Sequence, residues 1–252
     1  MYENKNSLQL NLVPAEIREP LRLFTEKLKG SLADNLISLT VVGSSLTKDF
    51  KTGRSDINTV IVLGKRTMVA LNAIASLAKP MSKKKISPPV LMTESYIERS
   101  LDVFGVEFLD FQLTHKTILG NDPFSSLSFD KKDVRLQCER ELKATLIRLR
   151  QGYIAAAANR KLVRDILIST AKTMAPLLRA MLWLKNVDRP NTSSATFARA
   201  AAEFSANLAP VMRTDEWRYK RARVSQTEIQ NIFEALYIAI EQLADTVDKL
   251  EV

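Results

Sequence analysis

The sequence predicts an α+β protein in which a small mixed α/β domain precedes an all-helical bundle. Short runs rich in β-branched residues alternate with helical patterns as far as residue 120, and glycines and prolines separate them. From Lys131 onward, apolar residues recur at steps of three and four residues, and no clear strand pattern follows. We therefore expect a first domain over residues 1–125 and a helical domain over residues 130–252.

Each element of the first domain is predicted by its own local pattern. The expected elements are, in order, a helix over 14–30, strands over 36–43 and 57–64, a helix over 67–79, a strand over 90–93, a helix over 93–104 and a strand over 105–113. Gly30 is expected to cap the first helix, because glycine readily adopts the left-handed conformation of a C-cap. Thr93 or Ser95 is expected to cap the helix after the third strand.

The second domain is predicted from apolar stripes at helical spacing. The first stripe has six members: Val134, Cys138, Leu142, Leu146, Leu149 and Tyr153. Further helices are expected over 160–186, where Pro176 predicts a kink, over 193–208 and over 229–250. Together these stripes predict a bundle.

The composition indicates a protein that does not cross a membrane. No apolar stretch approaches the roughly 18 residues that a spanning helix needs, and the first ten residues, MYENKNSLQL, lack the pattern of a secretory signal. The single cysteine, Cys138, cannot form an internal disulfide and lies on an apolar stripe. We expect a cytoplasmic protein with a buried thiol, and the sequence leaves its oligomeric state open.

The formal net charge of +9 is spread unevenly along the chain. Residues 1–130 carry 16 Lys and Arg against 14 Asp and Glu, whereas residues 131–252 carry 21 against 14. A basic half favours an anionic partner, such as nucleotide phosphates or nucleic acid. The alternative is a set of ordinary solvated helix faces.

Residues 41–62, VVGSSLTKDFKTGRSDINTVIV, join two strand-like runs by a polar loop. Gly43 ends the first run, and without a Cβ it lets the backbone approach a phosphate. Ser44 and Ser45 add hydroxyl and N–H donors for phosphate oxygens. Asp56 and Asn58 begin the second run two residues apart, so their side chains share one face of the strand.

This stretch resembles the nucleotidyltransferase superfamily, which includes the minimal nucleotidyltransferases and the aminoglycoside-modifying enzymes. The family pattern is an apolar strand, Gly-Ser or Gly-Gly, a loop of about a dozen residues, and Asp-apolar-Asp on the next strand. The resemblance implies transfer of a nucleoside monophosphate from a Mg²⁺-bound NTP to a hydroxyl. It implies phosphate binding by Gly43, Ser44 and Ser45, and Mg²⁺ binding by Asp56 with Asn58 as a neutral ligand.

Two departures separate this sequence from the family pattern. Asn58 replaces a carboxylate, so this position brings no negative charge to a divalent cation. The family also tends to place a third carboxylate on the next strand, but the predicted strand over 90–93 has no acid. Glu107 or Asp110 is the candidate substitute. On the strand expected there, they would face opposite sides, so at most one could serve as base or ligand, with Asp110 favoured.

Several functions remain open on the sequence alone. The chain is expected to bind NTP and Mg²⁺, either with transfer to a small-molecule, protein or RNA acceptor or with catalysis lost. A second class is a non-catalytic regulator that binds nucleotide, RNA or protein through the basic bundle, and a third is an oligomeric scaffold. In the purely structural alternative, Asp56 caps a turn and Asn58 hydrogen-bonds the loop.

Three further features of the sequence lie outside the motif. His115, the only histidine, is expected at the surface or rim, and the bundle lacks the Arg-X-X-X-X-His motif of ribonuclease partners. Segment 213–223, RTDEWRYKRAR, suits either phosphate and base contacts or a helix connection plugged by Trp217. The run Lys83–Lys85 is either solvated or borders the phosphate site.

Overall fold

The computed structural model describes residues 7–157, 159–219 and 224–252. The chain divides into two compact units. The N-terminal unit comprises Met1–Leu101 and Phe108–Ser128, and the C-terminal unit comprises Asp102–Glu107 and Phe129–Val252. The boundary expected between residues 125 and 130 stays a prediction.

The N-terminal unit holds one four-stranded sheet within the described residues. Its helices and strands are α1 (Ala15–Leu32), β1 (Leu36–Val42), β2 (Asn58–Leu63), α2 (Met68–Ser82), β3 (Val90–Met92), α3 (Glu94–Glu98) and β4 (His115–Leu119). Helix α4 (Gly105–Leu113) begins in the segment assigned to the C-terminal unit. The strand order is β3-β2-β1-β4, with β1 antiparallel to β2 and β4, and β2 parallel to β3.

Alternation along the strands divides the sheet into two buried faces. Helices α1 and α2 cover one face, which includes Leu39, Val41, Ile57 and Ile61. Val60 on the other face is also fully buried. Because both sides of β2 are buried, its apolar residues form a continuous run and do not alternate with polar residues.

The segment 105–113 is a helix, so the strand predicted there is wrong. Val106, Phe108 and Leu109 are all buried, a spacing that fits a helix and not the alternation of a strand. The run has no glycine or proline after Gly105, and its length of nine residues suits either structure. The fourth strand is β4, which the sequence did not predict.

Two cap predictions differ in outcome. The Thr93 hydroxyl accepts a hydrogen bond from the Tyr96 N–H at 3.2 Å, which confirms the cap, although α3 ends at Glu98 rather than at residue 104. Gly30 is not a cap, since α1 continues to Leu32.

The elements of the C-terminal unit are helices, and no strand occurs among its described residues. Its helices are α5 (Lys131–Ala155), α6 (Arg160–Leu184), α7 (Ser193–Phe204), α8 (Ala209–Glu216) and α9 (Gln226–Asp248). Helix α5 packs against α6 and α9 through the predicted stripe, in which Cys138 is fully buried. Burial, with the negative charges of Glu107 and Glu141, raises the pKa of the Cys138 thiol to about 12. Within the described ranges, no helix is long and apolar enough to cross a bilayer.

Candidate functional site

The end of β1 brings the two halves of the predicted motif together. Val42 pairs with Asn58 at the start of β2 and with His115 at the start of β4. Gly43 follows with a φ of +76°, and the Gly43 N–H donates to the Thr114 carbonyl at 3.0 Å. We name this region the Gly43 edge: residues 43–46, 56–58 and 114–115. All of it belongs to the N-terminal unit.

Gly43 lies directly beside Asn58. A Cβ added to Gly43 would stand 3.8 Å from the Asn58 amide nitrogen, and the +76° φ is one that residues with a side chain rarely adopt. Glycine is thus required by the backbone and leaves open space next to the Asn58 side chain. The motif's spacing produces this contact because the loop returns the chain to pair with the strand it left.

Asp56 and Asn58 are both exposed, and Ile57 between them is buried at 2% exposure. No hydrogen bond or ion pair holds the Asp56 or Asn58 side chain among the residues that the structure describes. The turn before them is instead closed by Ser55, whose hydroxyl accepts from the Lys51 N–H at 3.0 Å. The structural alternative, with Asp56 as a turn cap and Asn58 bonded to the loop, is therefore not formed.

The two serines of the motif differ in exposure. Residues 43–46 form a 3-10 turn in which Ser44 is partly exposed and Ser45 is 1% exposed. The Ser45 hydroxyl is buried and has no hydrogen-bond partner in the described part of the chain. Ser44 is therefore the serine whose hydroxyl solvent-borne phosphate can reach.

The two candidate substitute carboxylates lie on α4, where a three-residue separation places them on one face rather than on opposite sides. Glu107 belongs to the C-terminal unit and accepts a hydrogen bond from the Gln137 amide at 2.7 Å. Asp110 belongs to the N-terminal unit, and its carbonyl accepts from the Thr114 N–H at 3.1 Å. Since Thr114 in turn bonds Gly43, Asp110 lies one helical turn from the Gly43 edge.

The lysine turn, Lys83–Lys85, borders the motif. The Ile57 N–H donates to the Lys85 carbonyl at 2.6 Å, and the Ser87 N–H donates to the Ile57 carbonyl at 3.1 Å. The sequence left open whether this run is solvated or borders the phosphate site. The sequence could not show that segment 85–87 pairs in parallel with segment 56–58, which places the lysine run beside Asp56.

His115 is a rim histidine whose ring is already engaged. Its Nδ1 lies 2.9 Å from the Phe111 carbonyl oxygen and its Nε2 lies 2.8 Å from Asp122 Oδ2. The Ser125 hydroxyl also donates to Asp122. Burial raises the pKa of the Asp122 carboxyl, but hydrogen bonds from Ser125, His115 and the Phe124 N–H outweigh it, so the pKa is lowered. These contacts tie β4 to the loop that follows it.

The donor set at the edge offers little negative charge for a metal. No group of three His, Cys, Asp or Glu residues that could hold an ion occurs within the described ranges. Asp56 and Asn58 are nevertheless hard oxygen donors on one side of a strand, and Mg²⁺ commonly completes its octahedron with waters and phosphate oxygens. The residues present fit a weak Mg²⁺ site that depends on bound phosphate.

The arginine-rich segment 213–223 is partly tied within the C-terminal unit. Arg213 lies 3.1 Å from Glu228 and Arg218 lies 2.9 Å from Asp215. Trp217 is 4% exposed, with the Arg164 guanidinium 5.7 Å from its ring centroid, as expected of a plug. The remaining basic residues of the segment, at positions 220, 221 and 223, lie outside the described residues.

Comparison with known proteins gives a likeness among solved structures. No model of a known protein family matches the sequence, and no curated protein does. Among solved structures, the spectinomycin adenyltransferase AAD(9) from Enterococcus faecialis, solved with ATP and spectinomycin, matches with a TM-score of 0.56 at 14% identity. The match covers 92% of this chain and 99% of that chain.

The two proteins share a fold. The chain is thus an α+β protein with a nucleotidyltransferase-like fold and a helical C-terminal part, which confirms the predicted fold class. At this identity, the likeness concerns architecture, and the chemistry has to be argued from the residues.

Proposed function

We propose that this chain binds a nucleoside triphosphate at the Gly43 edge and transfers the nucleoside monophosphate to a hydroxyl of an acceptor, with release of pyrophosphate. The observation that carries the proposal is the contact between Gly43 and Asn58, which joins a left-handed glycine corner to the exposed pair Asp56 and Asn58. The ATP-bound state of the adenyltransferase with the same fold supports a nucleotide as the ligand.

Each residue of the edge has a role that its position allows. Gly43 gives phosphate access to the backbone, and the Ser44 hydroxyl donates to a phosphate oxygen. Asp56 and Asn58 would hold Mg²⁺ through a carboxylate and an amide oxygen. When bound, such an ion neutralises phosphate charge and lowers the pKa of an attacking hydroxyl. The triphosphate would then lie at the start of β2, where Asn58 is the exposed residue of the strand.

Asp110 is our candidate for the base that accepts the proton of the acceptor hydroxyl. It is the α4 carboxylate in the same unit as the edge, one turn from Thr114. Glu107 is the weaker candidate, because it belongs to the C-terminal unit and not to the unit that holds the Gly43 edge. We propose further that Asn58 slows transfer, since one ligand charge is absent from the cation site.

The first experiment separates transfer from binding. The protein is incubated with each α-labelled NTP and Mg²⁺ or Mn²⁺, alone and with cell extract, beside an Asp56→Ala variant. Label that appears on an acceptor with the parent protein and not with the variant supports the transferase. Binding is followed in parallel as a rise in melting temperature with NTP. If neither nucleotide nor metal shifts the melting temperature, the proposed site is wrong.

A non-catalytic nucleotide-binding regulator is the second candidate, and Asn58 is the observation that favours it. One ligand carboxylate instead of two weakens metal-dependent chemistry more than it weakens phosphate binding. Under this alternative, the parent protein gains stability with NTP but transfers no label to any acceptor in the extract. The same incubation therefore decides between the two candidates.

A further inference from the structure

The lysine turn is held against the strand that carries Asp56 and Asn58. The two backbone hydrogen bonds between segment 56–58 and segment 85–87 form the start of a parallel ladder that continues as β2 and β3. Neighbouring strands lie about 4.8 Å apart. The Lys85 backbone therefore stands one strand spacing from Ile57, the residue between Asp56 and Asn58.

The charges of this region are mostly positive. Residues 43–58 and 83–87 contain six Lys and Arg against two Asp. In the part of the chain that the structure describes, no cluster of three ligating side chains offsets them. This balance favours a polyanion over a divalent cation, because carboxylate charge is what holds a divalent ion.

The three lysines of the turn are not equivalent, although all are exposed. Hydrogen bonds from Arg22, with the charges of Arg22 and Lys84, lower the pKa of Glu19 on α1. Lys84 thus lies close to α1, which covers the Ile57 face of the sheet, whereas Asn58 lies on the opposite face. Among the described residues, the Lys83 and Lys85 ammonium groups have no hydrogen bond or ion pair.

We propose that Lys83 and Lys85 bind the terminal phosphates of the nucleotide directly and thereby replace part of the charge neutralisation that a carboxylate-held metal would supply. This inference rests on the proposed function of the Gly43 edge. A lysine side chain is a compact charge on a flexible four-carbon stem, well suited to follow a polyphosphate. The consequence is that NTP binding at this edge does not require a divalent cation.

The test measures binding of ATP and of inorganic tripolyphosphate by calorimetry, in Mg²⁺ and in EDTA. We expect the parent protein to bind ATP in EDTA within about threefold of its affinity in Mg²⁺. The double variant Lys83→Ala/Lys85→Ala is expected to lose about tenfold or more in EDTA, as for two lost charge-assisted hydrogen bonds. Lys84→Ala, a change of the same type in the same turn, should lose less than about threefold.

Each outcome separates this inference from the proposed function. ATP binding that needs Mg²⁺, or that is equal in the double variant and the parent, overturns the lysine role and leaves the nucleotide site intact. Tripolyphosphate binding through the lysines without any ATP binding overturns the nucleotide proposal and keeps an anion site. Binding of neither probe overturns both. Melting temperatures of the variants check that these exposed substitutions leave the fold unchanged.

Discussion

Asn58 is the residue at which this sequence departs from the Asp-apolar-Asp pattern that its motif resembles. It lies next to Gly43 and is exposed, as is Asp56 two residues before it. Asn58→Asp restores a second carboxylate without changing the size of the side chain. We expect the variant to bind Mg²⁺ with ATP about tenfold more tightly, since a hydrogen bond or ligand contact to a charged group contributes about 1.5–3 kcal/mol.

The matched control is Asn72→Asp, because Asn72 is exposed on α2 and the substitution changes net charge identically. Titration of Mg²⁺ at fixed ATP measures both variants. Equal Mg²⁺ affinity in Asn58→Asp and the parent would show that Asp56 and residue 58 do not share a cation.

The Asp122 carboxyl gives the N-terminal unit a predictable response to acid. Although burial raises it, the pKa of this carboxyl is lowered in the folded protein, because hydrogen bonds from Ser125, His115 and the Phe124 N–H outweigh burial. A carboxyl with a lowered pKa stabilises the fold above its unfolded pKa, and this stabilisation is lost as pH falls through the folded pKa. Asp122→Ala should therefore melt below the parent at pH 5, and the gap should narrow between pH 4 and pH 2. A gap that does not change over this range would contradict the assignment.

The pair of serines shows how far sequence reasoning reached at this scale. Glycine at a strand end and the Asp-X-Asn spacing predicted the correct backbone contact, because register and alternation follow directly from the chain. The burial of Ser45 could not be predicted from the sequence. Which residues of a short 3-10 turn are buried depends on the side chains that pack against the turn.

At the scale of elements, α4 is the segment where local pattern and structure disagree. Phenylalanine favours strands intrinsically. Phe108 and Phe111 nevertheless lie on the helix α4, where their rings pack against each other and against Phe124, which follows β4. Local propensity left the secondary structure of segment 105–113 ambiguous, and tertiary packing determines that it is a helix. Because the segment was assigned to a strand, β4 was not predicted, and neither was the pairing of His115 with Val42 at the Gly43 edge.

Gly120 ends β4 and is the position where an added side chain costs most. Its φ is +78°, and a Cβ there would stand 2.0 Å from the Ile37 carbonyl oxygen. Gly53 is the matched control, because its φ is +77° and nothing lies within 4 Å of its Cβ position. Gly53→Ala should therefore report backbone strain alone, about 1–2 kcal/mol.

We expect Gly120→Ala to destabilise the protein by about 3 kcal/mol or more, since both the strain and the backbone clash must be relieved. Urea unfolding of the two variants measures the difference. Equal losses in free energy of unfolding would mean that the β1–β4 pair yields freely around Gly120.

At the scale of the whole molecule, the predicted excess of positive charge in the second half does not by itself identify a partner. The described arginines of segment 213–223 are paired with acids, and the Lys143 ammonium is bonded to Glu139 at 2.6 Å, which raises the pKa of that lysine. Composition counts charges but not their pairing. Lys83 and Lys85, which have no ion pair among the described residues, lie instead in the nearly neutral first half.

The division of the chain into units also could not be read from composition. The N-terminal turn of α4 is assigned to the C-terminal unit, and α5 holds it: the Gln137 side chain accepts from the Val106 N–H at 2.9 Å and donates to Glu107 at 2.7 Å. The first N–H groups of a helix have no partner within it. Gln137, only 4% exposed, supplies one from a distant part of the sequence.

A cut after residue 128 would therefore leave α4 without the contact that fixes its start. We expect hydrogen exchange at the Val106 amide to be faster in a 1–128 fragment than in the full chain, and faster as well in full-length Gln137→Ala. Losing a buried partner costs about 1–3 kcal/mol, which corresponds to roughly a tenfold or greater rise in local opening. Gln151→Ala, at an exposed position of the same helix α5, is the control and should leave the Val106 rate unchanged. If Gln137→Ala also leaves the Val106 exchange rate unchanged, the Gln137 side chain does not hold the start of α4. The packing around Gly105, where Val134 approaches most closely, would then hold it.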